Sequence, residues 1–136
     1  MSDDESTIDF VTAFARLLSS QVLREQFRES PSSVSDQLGI NQQDRSAFES
    51  LCADQVEQQA ETLLNKRWHE VRRLAPKTTA SLGEDGAEIF RYFASNDWPE
   101  GHRRHVVDAY RFLKFLRANG IQKPDRVELN RVRVRQ

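Results

Sequence analysis

The segment from Trp98 to His105 concentrates side chains that can bind a charged ligand. It reads Trp-Pro-Glu-Gly-His-Arg-Arg-His, so two histidines and two arginines follow an aromatic ring and precede an apolar helix. His102 and His105 are three residues apart, and on a helix both face the same side. A carboxylate or phosphate would bind near the start of the helix, to these histidines and to Arg103 and Arg104. Trp98 would be the apolar anchor.

A second group of basic residues lies earlier in the chain. Lys66, His69 and Arg73 fall at i, i+3 and i+7, on the helix face away from the stripe that contains Trp68. Glu70 lies one turn from both Lys66 and Arg73, so part of this charge is expected to be paired. The two groups together are the predicted partner-binding residues: Trp98, His102, Arg103, Arg104, His105, Lys66, His69 and Arg73.

Two other interpretations of these residues stay open. Trp98 would pack in the core while the histidines and arginines fix the loop by hydrogen bonds. Alternatively, His102 and His105 would bind a metal with His69 or Cys52, but no further ligand stands at a characteristic interval. No metal, cofactor or catalytic residue is therefore predicted. Cys52 is the single cysteine, which excludes an intramolecular disulfide, and a lone cysteine in apolar surroundings is expected to be buried packing.

Composition fits one domain of a water-soluble protein. The chain has 136 residues, of which 38% are hydrophobic and 30% charged. No apolar run exceeds three residues, so the sequence predicts neither a membrane-spanning helix nor a signal peptide, and a cytoplasmic location is expected. No Gly-rich phosphate loop or nucleophile motif is present, and the chain is predicted not to be an enzyme.

Apolar residues recur at helical spacing along most of the chain, which predicts an all-α fold. A compact bundle of about six or seven helices is expected, with an irregular or extended C-terminal tail. The predicted helical segments cover residues 7–28, 31–38, 41–52, 54–75, 87–94 and 106–120. Ser30 is the predicted cap of the segment 31–38, and Gly39 and Pro76 are the predicted stops of the segments before them. One further helical turn is left open between Thr78 and Leu82. The segment 106–120 is expected to be central, because its apolar residues spread over more than one stripe. In the tail, Val132 and Val134 alternate with arginines in the two-residue period of a strand. The tail would pair with an edge strand of a partner, bind nucleic acid or stay frayed.

Charge is divided unequally along the chain. Residues 1–62 hold 4 basic and 12 acidic residues, whereas residues 63–136 hold 16 basic and 9 acidic ones. We predict a single domain, residues 1–136, made of an acidic half (6–52), a basic half (54–120) and a basic tail (121–136). This division of charge leaves three interpretations open. The two halves would attract each other within one chain, two copies would associate head to tail, or the basic half would bind an acidic partner.

DNA recognition through a helix-turn-helix is disfavoured. Residues 33–48 imitate that motif, but the would-be recognition helix carries Asp44 and Glu49 against Arg45 alone, and such a helix would repel phosphates.

Two stretches carry resemblances to known helical modules. The first runs from Leu18 to Leu51 and includes Val22-Leu-Arg-Glu-Gln-Phe27, Pro31, Val34, Leu38-Gly-Ile40 and Asp44. It resembles helical modules of the extradiol dioxygenase small-subunit type and bacterial peptide-leader domains. The second runs from Ala60 to Leu116 and includes Leu64, Arg67, Val71, Leu74-Ala-Pro76, Phe90, Trp98-Pro99, Gly101-His-Arg-Arg-His105, Asp108-Ala109 and Phe112. It resembles an uncharacterised bacterial helical domain encoded beside, or fused to, barrel-type iron-dependent oxidases that modify ribosomal peptides.

These resemblances imply an accessory part that binds a peptide or an enzyme, and they carry no catalytic residue onto this chain. The sequence therefore predicts a non-enzymatic binding or accessory module with a protein or peptide partner. The alternative is a regulator that binds nucleic acid through the basic C-terminal half, and a metal-dependent or other enzyme is the third hypothesis. No membrane partner is predicted, and homo-oligomerisation is left open.

Overall fold

A computed structural model describes residues 7–95, 97–99 and 101–136. Across these ranges the chain forms nine α-helices and no strand, which confirms the all-α class. The helices are α1 (Phe10–Ser19), α2 (Gln21–Glu29), α3 (Pro31–Leu38), α4 (Gln42–Glu49), α5 (Ala53–Leu74), α6 (Pro76–Ser81), α7 (Gly86–Ala94), α8 (Arg104–Ala118) and α9 (Arg126–Arg135). A 3-10 turn, Gly83–Asp85, precedes α7. None of the helices in the described ranges has the length and apolar character needed to cross a bilayer.

The chain divides into two compact units, of which the first ends at Glu61 and the second is Thr62–Gln136. The division falls within α5, and it coincides with the change from acidic to basic composition. The second unit carries 16 basic and 9 acidic residues, a formal charge of +7.

Side-chain caps define the short helices of the first unit. A cap accepts a hydrogen bond from one of the first backbone N–H groups of its helix and contributes about 1 kcal/mol. The caps of α1 to α4 are Asp9, Ser20, Ser30 and Asn41. The predicted stop at Gly39 is confirmed, since this residue adopts the left-handed conformation with φ 71°.

The first unit closes around aromatic rings and one buried arginine. The rings of Phe27 and Phe48 meet edge to face, with centroids 5.3 Å apart. Arg24 is buried, and its guanidinium donates to the carbonyl of Leu18 (2.7 Å) and to Glu57 (2.8 Å). Because the last carbonyls of a helix have no partner within it, Arg24 satisfies the end of α1 while it binds α5.

The second unit packs around α8, as the apolar spread predicted. Its buried residues are Val106, Asp108, Ala109, Phe112, Leu113 and Leu116. The rings of Phe90 and Trp68 pack against Phe112 at centroid distances of 5.3 and 5.9 Å. Gly86 lies against the Trp68 ring, where an added Cβ would come within 3.1 Å of the indole, so any side chain here would require the ring to shift by a few tenths of an ångström.

The predicted irregular or extended tail is wrong for residues 126–135, which form α9. Asp125 caps this helix by accepting from the backbone N–H of Glu128 (3.0 Å), and Val132 is fully buried. The alternation of valine and arginine suggested a strand, but Val132 alone among the valines of α9 packs into the core. Val127 and Val134 are 63% and 72% exposed. Burial at positions 128 and 132 follows the four-residue spacing of a helix.

The helical turn that the sequence left open between Thr78 and Leu82 is α6, which begins earlier, at Pro76, and depends on a distant residue. The residue before it, Ala75, makes no capping hydrogen bond with its side chain. Instead, the Glu128 carboxylate accepts from the backbone N–H groups of Lys77 (2.7 Å) and Thr78 (2.9 Å) and from the Thr78 hydroxyl (2.7 Å). The carboxylate also meets the positive end of the helix dipole, so α9 supplies the N-terminal cap of α6.

The prediction that Cys52 is buried is wrong, because this residue is exposed.

We expect Glu128→Ala to lower the free energy of unfolding by about 2–3 kcal/mol, because it leaves two backbone N–H groups and the buried Thr78 hydroxyl without an acceptor. The same substitution at Glu88, which is exposed on α7, is the control and should change the free energy by less than about 0.5 kcal/mol. Urea denaturation measures both. Equal effects would contradict the capping role.

Candidate functional site

Five of the eight residues predicted from sequence line one cleft in the second unit. The cleft lies between α5 and the segment that leads into α8, and its volume is about 360 Å³. The five residues are Lys66, Trp98, His102, Arg104 and His105. We call this depression the α5 cleft. Lys66, His102 and Arg104 are exposed, whereas Trp98 and His105 are partly buried.

Two further depressions adjoin the α5 cleft along the same helix. A shallow one of about 340 Å³ shares Lys66 and Glu70 with the cleft and includes His69. A groove of about 610 Å³ in turn shares His69 and includes Arg73. Seven of the eight predicted residues therefore line one continuous surface, which we call the α5 surface. The eighth, Arg103, lies apart and donates to the backbone carbonyl of Arg135 at the end of α9.

The residue that organises the α5 cleft is Arg67, which the sequence analysis did not select. Its guanidinium donates to both carboxylate oxygens of Asp108, at 2.8 and 2.7 Å. It also donates to the backbone carbonyl of Asp97 (2.8 Å) and lies 4.9 Å from the centroid of the Trp98 ring. One cation, whose side chain is 11% exposed, thus joins α5, α8 and the turn that carries Trp98. The missed signal is the position of Asp108, four residues before the core residue Phe112 and so on the buried face of α8.

Asp108 follows Arg104 by four residues and precedes Arg111 by three, and this helical spacing predicts a ladder of surface salt bridges. The prediction is wrong. Asp108 is 2% exposed, and its two oxygens are taken up by Arg67. Arg111 pairs instead with the carboxylate of Asp97 at 3.2 Å. Arg104 is therefore left without a carboxylate partner in the part of the chain that the structure describes.

Trp98 forms a wall of the α5 cleft and lies outside the main apolar cluster of the second unit. Its ring is covered on one side by the Arg67 guanidinium, a cation–π arrangement that fixes the indole. Pro99, which follows it, is buried and also lines the cleft. The tryptophan is thus held in place by a buried ion pair, and part of its apolar surface stays accessible.

The α5 cleft has mixed charge. Glu70 accepts a hydrogen bond from Arg73 (2.6 Å), and this bond lowers the pKa of the Glu70 carboxyl below its usual value. The charges of Arg73, His105 and His69 lower that pKa further. Lys66, like Arg104, has no carboxylate partner within the described ranges. These two cations are available to an anionic ligand, whereas Glu70 and Asp108 are already compensated.

The described residues contain no group of three or more histidine, cysteine, aspartate or glutamate side chains that could hold a metal ion. What the arrangement offers chemically is recognition: exposed ammonium and guanidinium groups beside an apolar wall of Trp98, Pro99 and Leu63. Such a combination suits a ligand that presents both a carboxylate and an apolar group.

Comparison with known proteins gives one match. A family model described as "SCO6045-like, C-terminal domain" matches residues 46–118, which is more than half of the chain. Every residue that lines the α5 surface lies inside the matched range. No curated protein and no solved structure matches the chain.

Asp108→Ala is expected to lower the free energy of unfolding by about 3–5 kcal/mol, because it leaves the Arg67 guanidinium buried without its counter-charge. The control is Asp97→Ala, which breaks the exposed pair with Arg111 and should cost no more than about 1 kcal/mol. Chemical denaturation followed by circular dichroism measures the difference. Similar losses for the two variants would show that the buried pair does not organise the unit.

Arg73→Ala should raise the pKa of Glu70 toward the ordinary glutamate value, since the hydrogen bond from Arg73 is the largest cause of its depression. A depressed carboxyl pKa contributes stability that is present above the unfolded-state pKa and is lost as the pH falls through the folded-state pKa. Because Glu70 is largely solvated, we expect a small effect on stability. NMR titration of the carboxyl carbon measures the pKa, and Arg72→Ala is the neighbouring control. An unchanged Glu70 pKa in Arg73→Ala would contradict the assignment.

Proposed function

The chain belongs to the SCO6045-like C-terminal domain family, and from this premise we propose that its second unit is a non-enzymatic binding module for an acidic protein or peptide segment. The segment docks on the α5 surface. The observation that carries the proposal is the pair Lys66 and Arg104, two exposed cations without carboxylate partners in the described chain, beside the apolar wall of the α5 cleft.

Charge complementarity selects the partner. The second unit has a formal charge of +7, so an acidic segment is attracted before it makes contact. At the surface, Lys66 and Arg104 each offer a charge-assisted hydrogen bond to a carboxylate. Glu70 and Asp108 do not oppose the partner strongly, because Arg73 and Arg67 compensate them.

An apolar side chain of the partner provides the anchor. The α5 cleft has room for one or two side chains in its volume of about 360 Å³, and Trp98 and Pro99 supply apolar contact area. Because the Arg67 guanidinium already holds the indole, binding does not have to order it, which saves conformational entropy.

The α5 surface matches a short extended segment. From Leu63 to Arg73 the helix rises by about 15 Å, at about 1.5 Å per residue. An extended chain covers this length with about five residues. A segment with one apolar residue and acidic residues on either side would therefore contact both the cleft and the depressions beside it.

The proposal extends to the identity of the partner. The resemblance of residues 60–116 to domains found beside iron-dependent peptide-modifying oxidases supports either such an enzyme or its peptide substrate as the source of the segment. A cytoplasmic location is part of the same proposal, and the single cysteine supports it, since disulfide-stabilised domains of this size belong to oxidising compartments.

A fluorescein-labelled peptide of about ten residues that alternates glutamate with leucine is the probe. We expect Lys66→Glu and Arg104→Glu together to weaken its binding by about tenfold or more, because two attractive contacts become repulsive. Arg131→Glu introduces the same kind of charge change at an exposed position outside the α5 surface, and it should weaken binding less than about threefold. Fluorescence anisotropy measures the affinity.

Trp98→Ala separates docking from folding. If Trp98 is an anchor, the variant keeps its helical circular dichroism and loses affinity for the peptide. Unfolding of Trp98→Ala would favour a structural role for the tryptophan, and the Lys66 and Arg104 variants would then decide the proposal alone. Equal affinity for a peptide with lysine in place of glutamate, or equal losses in Arg131→Glu and the double variant, would refute it.

A further inference from the structure

A second concave surface lies between α8 and α9, away from the α5 surface. It has a volume of about 650 Å³, and its α8 wall carries Tyr110, Lys114 and Arg117. Its α9 wall carries Arg126, Asn130 and Arg133. The two helices run antiparallel, because Arg103, just before α8, bonds to the carbonyl of Arg135 at the far end of α9. We call this surface the α8–α9 groove.

The α8–α9 groove is uniformly basic, unlike the α5 cleft. None of its lining residues is acidic, and Lys114, Arg117, Arg126 and Arg133 have no carboxylate partner within the described ranges. Among the residues that the structure describes, the side chain of Arg133 donates to the amide oxygen of Asn130 (2.7 Å) alone. A shallow depression that shares Arg117 continues the basic surface to Lys123 in the connection between the helices.

The groove also offers aromatic surface. Tyr110 is partly exposed at its α8 wall, and the Lys114 ammonium lies 5.5 Å from the centroid of the tyrosine ring. Val127 and Leu129 add apolar surface on the other wall. Cations on both walls of a groove, together with an aromatic ring, are the features by which proteins hold single-stranded nucleic acid without reading its sequence.

We propose that the α8–α9 groove binds single-stranded nucleic acid through its phosphodiester backbone. Three arginines favour phosphate, because a guanidinium offers a planar pair of donors that matches two phosphate oxygens. Arg126 and Arg133 are separated by about 10 Å along their helix, so a bound strand places more than one phosphate on this wall.

The geometry favours a single strand over a duplex and over an acidic peptide. A helix that reads duplex DNA projects its basic residues into the major groove. Here the cations line a concave surface between two helices, which accepts a narrow strand. An acidic peptide would satisfy the charges but would leave Tyr110 without a planar partner to stack on.

The probe is fluorescein-labelled oligothymidylate of about fifteen nucleotides, close to the upper site size of small single-strand-binding modules. At low salt the full chain should bind it. A plot of the logarithm of the binding constant against the logarithm of the salt concentration should have a slope of about −3, since four cations each contribute about −0.7. The double variant Arg126→Glu/Arg133→Glu should reduce affinity by about tenfold or more and make the slope shallower.

Matched variants separate the groove from general charge and from misfolding. Arg131→Glu changes an exposed arginine of the same helix that does not line the groove, and it should reduce affinity less than about threefold. Tyr110→Leu keeps the charge and should reduce affinity about fivefold through lost stacking. Circular dichroism checks each variant, and Arg126→Gln/Arg133→Gln replaces the glutamate pair if that pair unfolds.

Several results would overturn the proposal: no binding of the oligonucleotide at low salt, equal losses for Arg131→Glu and the groove variants, or tighter binding of duplex DNA. Equal affinity for polyglutamate would assign the groove to acidic proteins and would also overturn it. The Lys66→Glu/Arg104→Glu variant should bind the oligonucleotide within about threefold of the unaltered chain, which makes this test independent of the α5 surface.

Discussion

The second unit depends on the buried interaction between Arg67 and Asp108. A guanidinium taken out of water is costly unless its donors are used, and here a bidentate carboxylate and backbone carbonyls use them. The same group covers the ring of Trp98. Because its partners come from the end of α7, from the turn that follows and from α8, this single side chain fixes the position of all three relative to α5. The α5 cleft therefore combines a wall held by an ion pair with the exposed cations Lys66 and Arg104.

Long-range capping is the second device of the fold. Most of the helices are short, and the termini of a short helix are a large share of its backbone groups. The chain satisfies several of these ends with residues distant in sequence. Asp44 accepts from the backbone N–H of Phe10 at the start of α1, and Arg24 donates to the carbonyls at its end. Glu128 accepts hydrogen bonds from the first backbone N–H groups of α6. Polar side chains from elsewhere in the chain thus satisfy backbone groups that have no partner within their own helix.

The sequence predicted what depends on local pattern and missed what depends on distant partners. Gly39, the Ser30 cap and the stop before Pro76 follow from the conformational limits of single residues, and each was predicted. The α9 helix was missed because its stability depends on Glu128 and Val132 meeting α6 and the core. Of the predicted site residues, Lys66, His69 and Arg73 lie together on α5, because helical spacing alone places them on one face. Arg67 was missed because its partner is 41 positions away, and no spacing rule reaches that far.

The carboxylate of Glu128 couples the local unfolding of α6 to that of α9. If α9 lifts away, the first amides of α6 lose their acceptor, and a helix of six residues does not persist without it. Local unfolding in this corner is then cooperative, and the amide protons of both helices should exchange with solvent at a common rate. Any molecule that clamps α9 will slow exchange in α6 as well, although it never touches that helix.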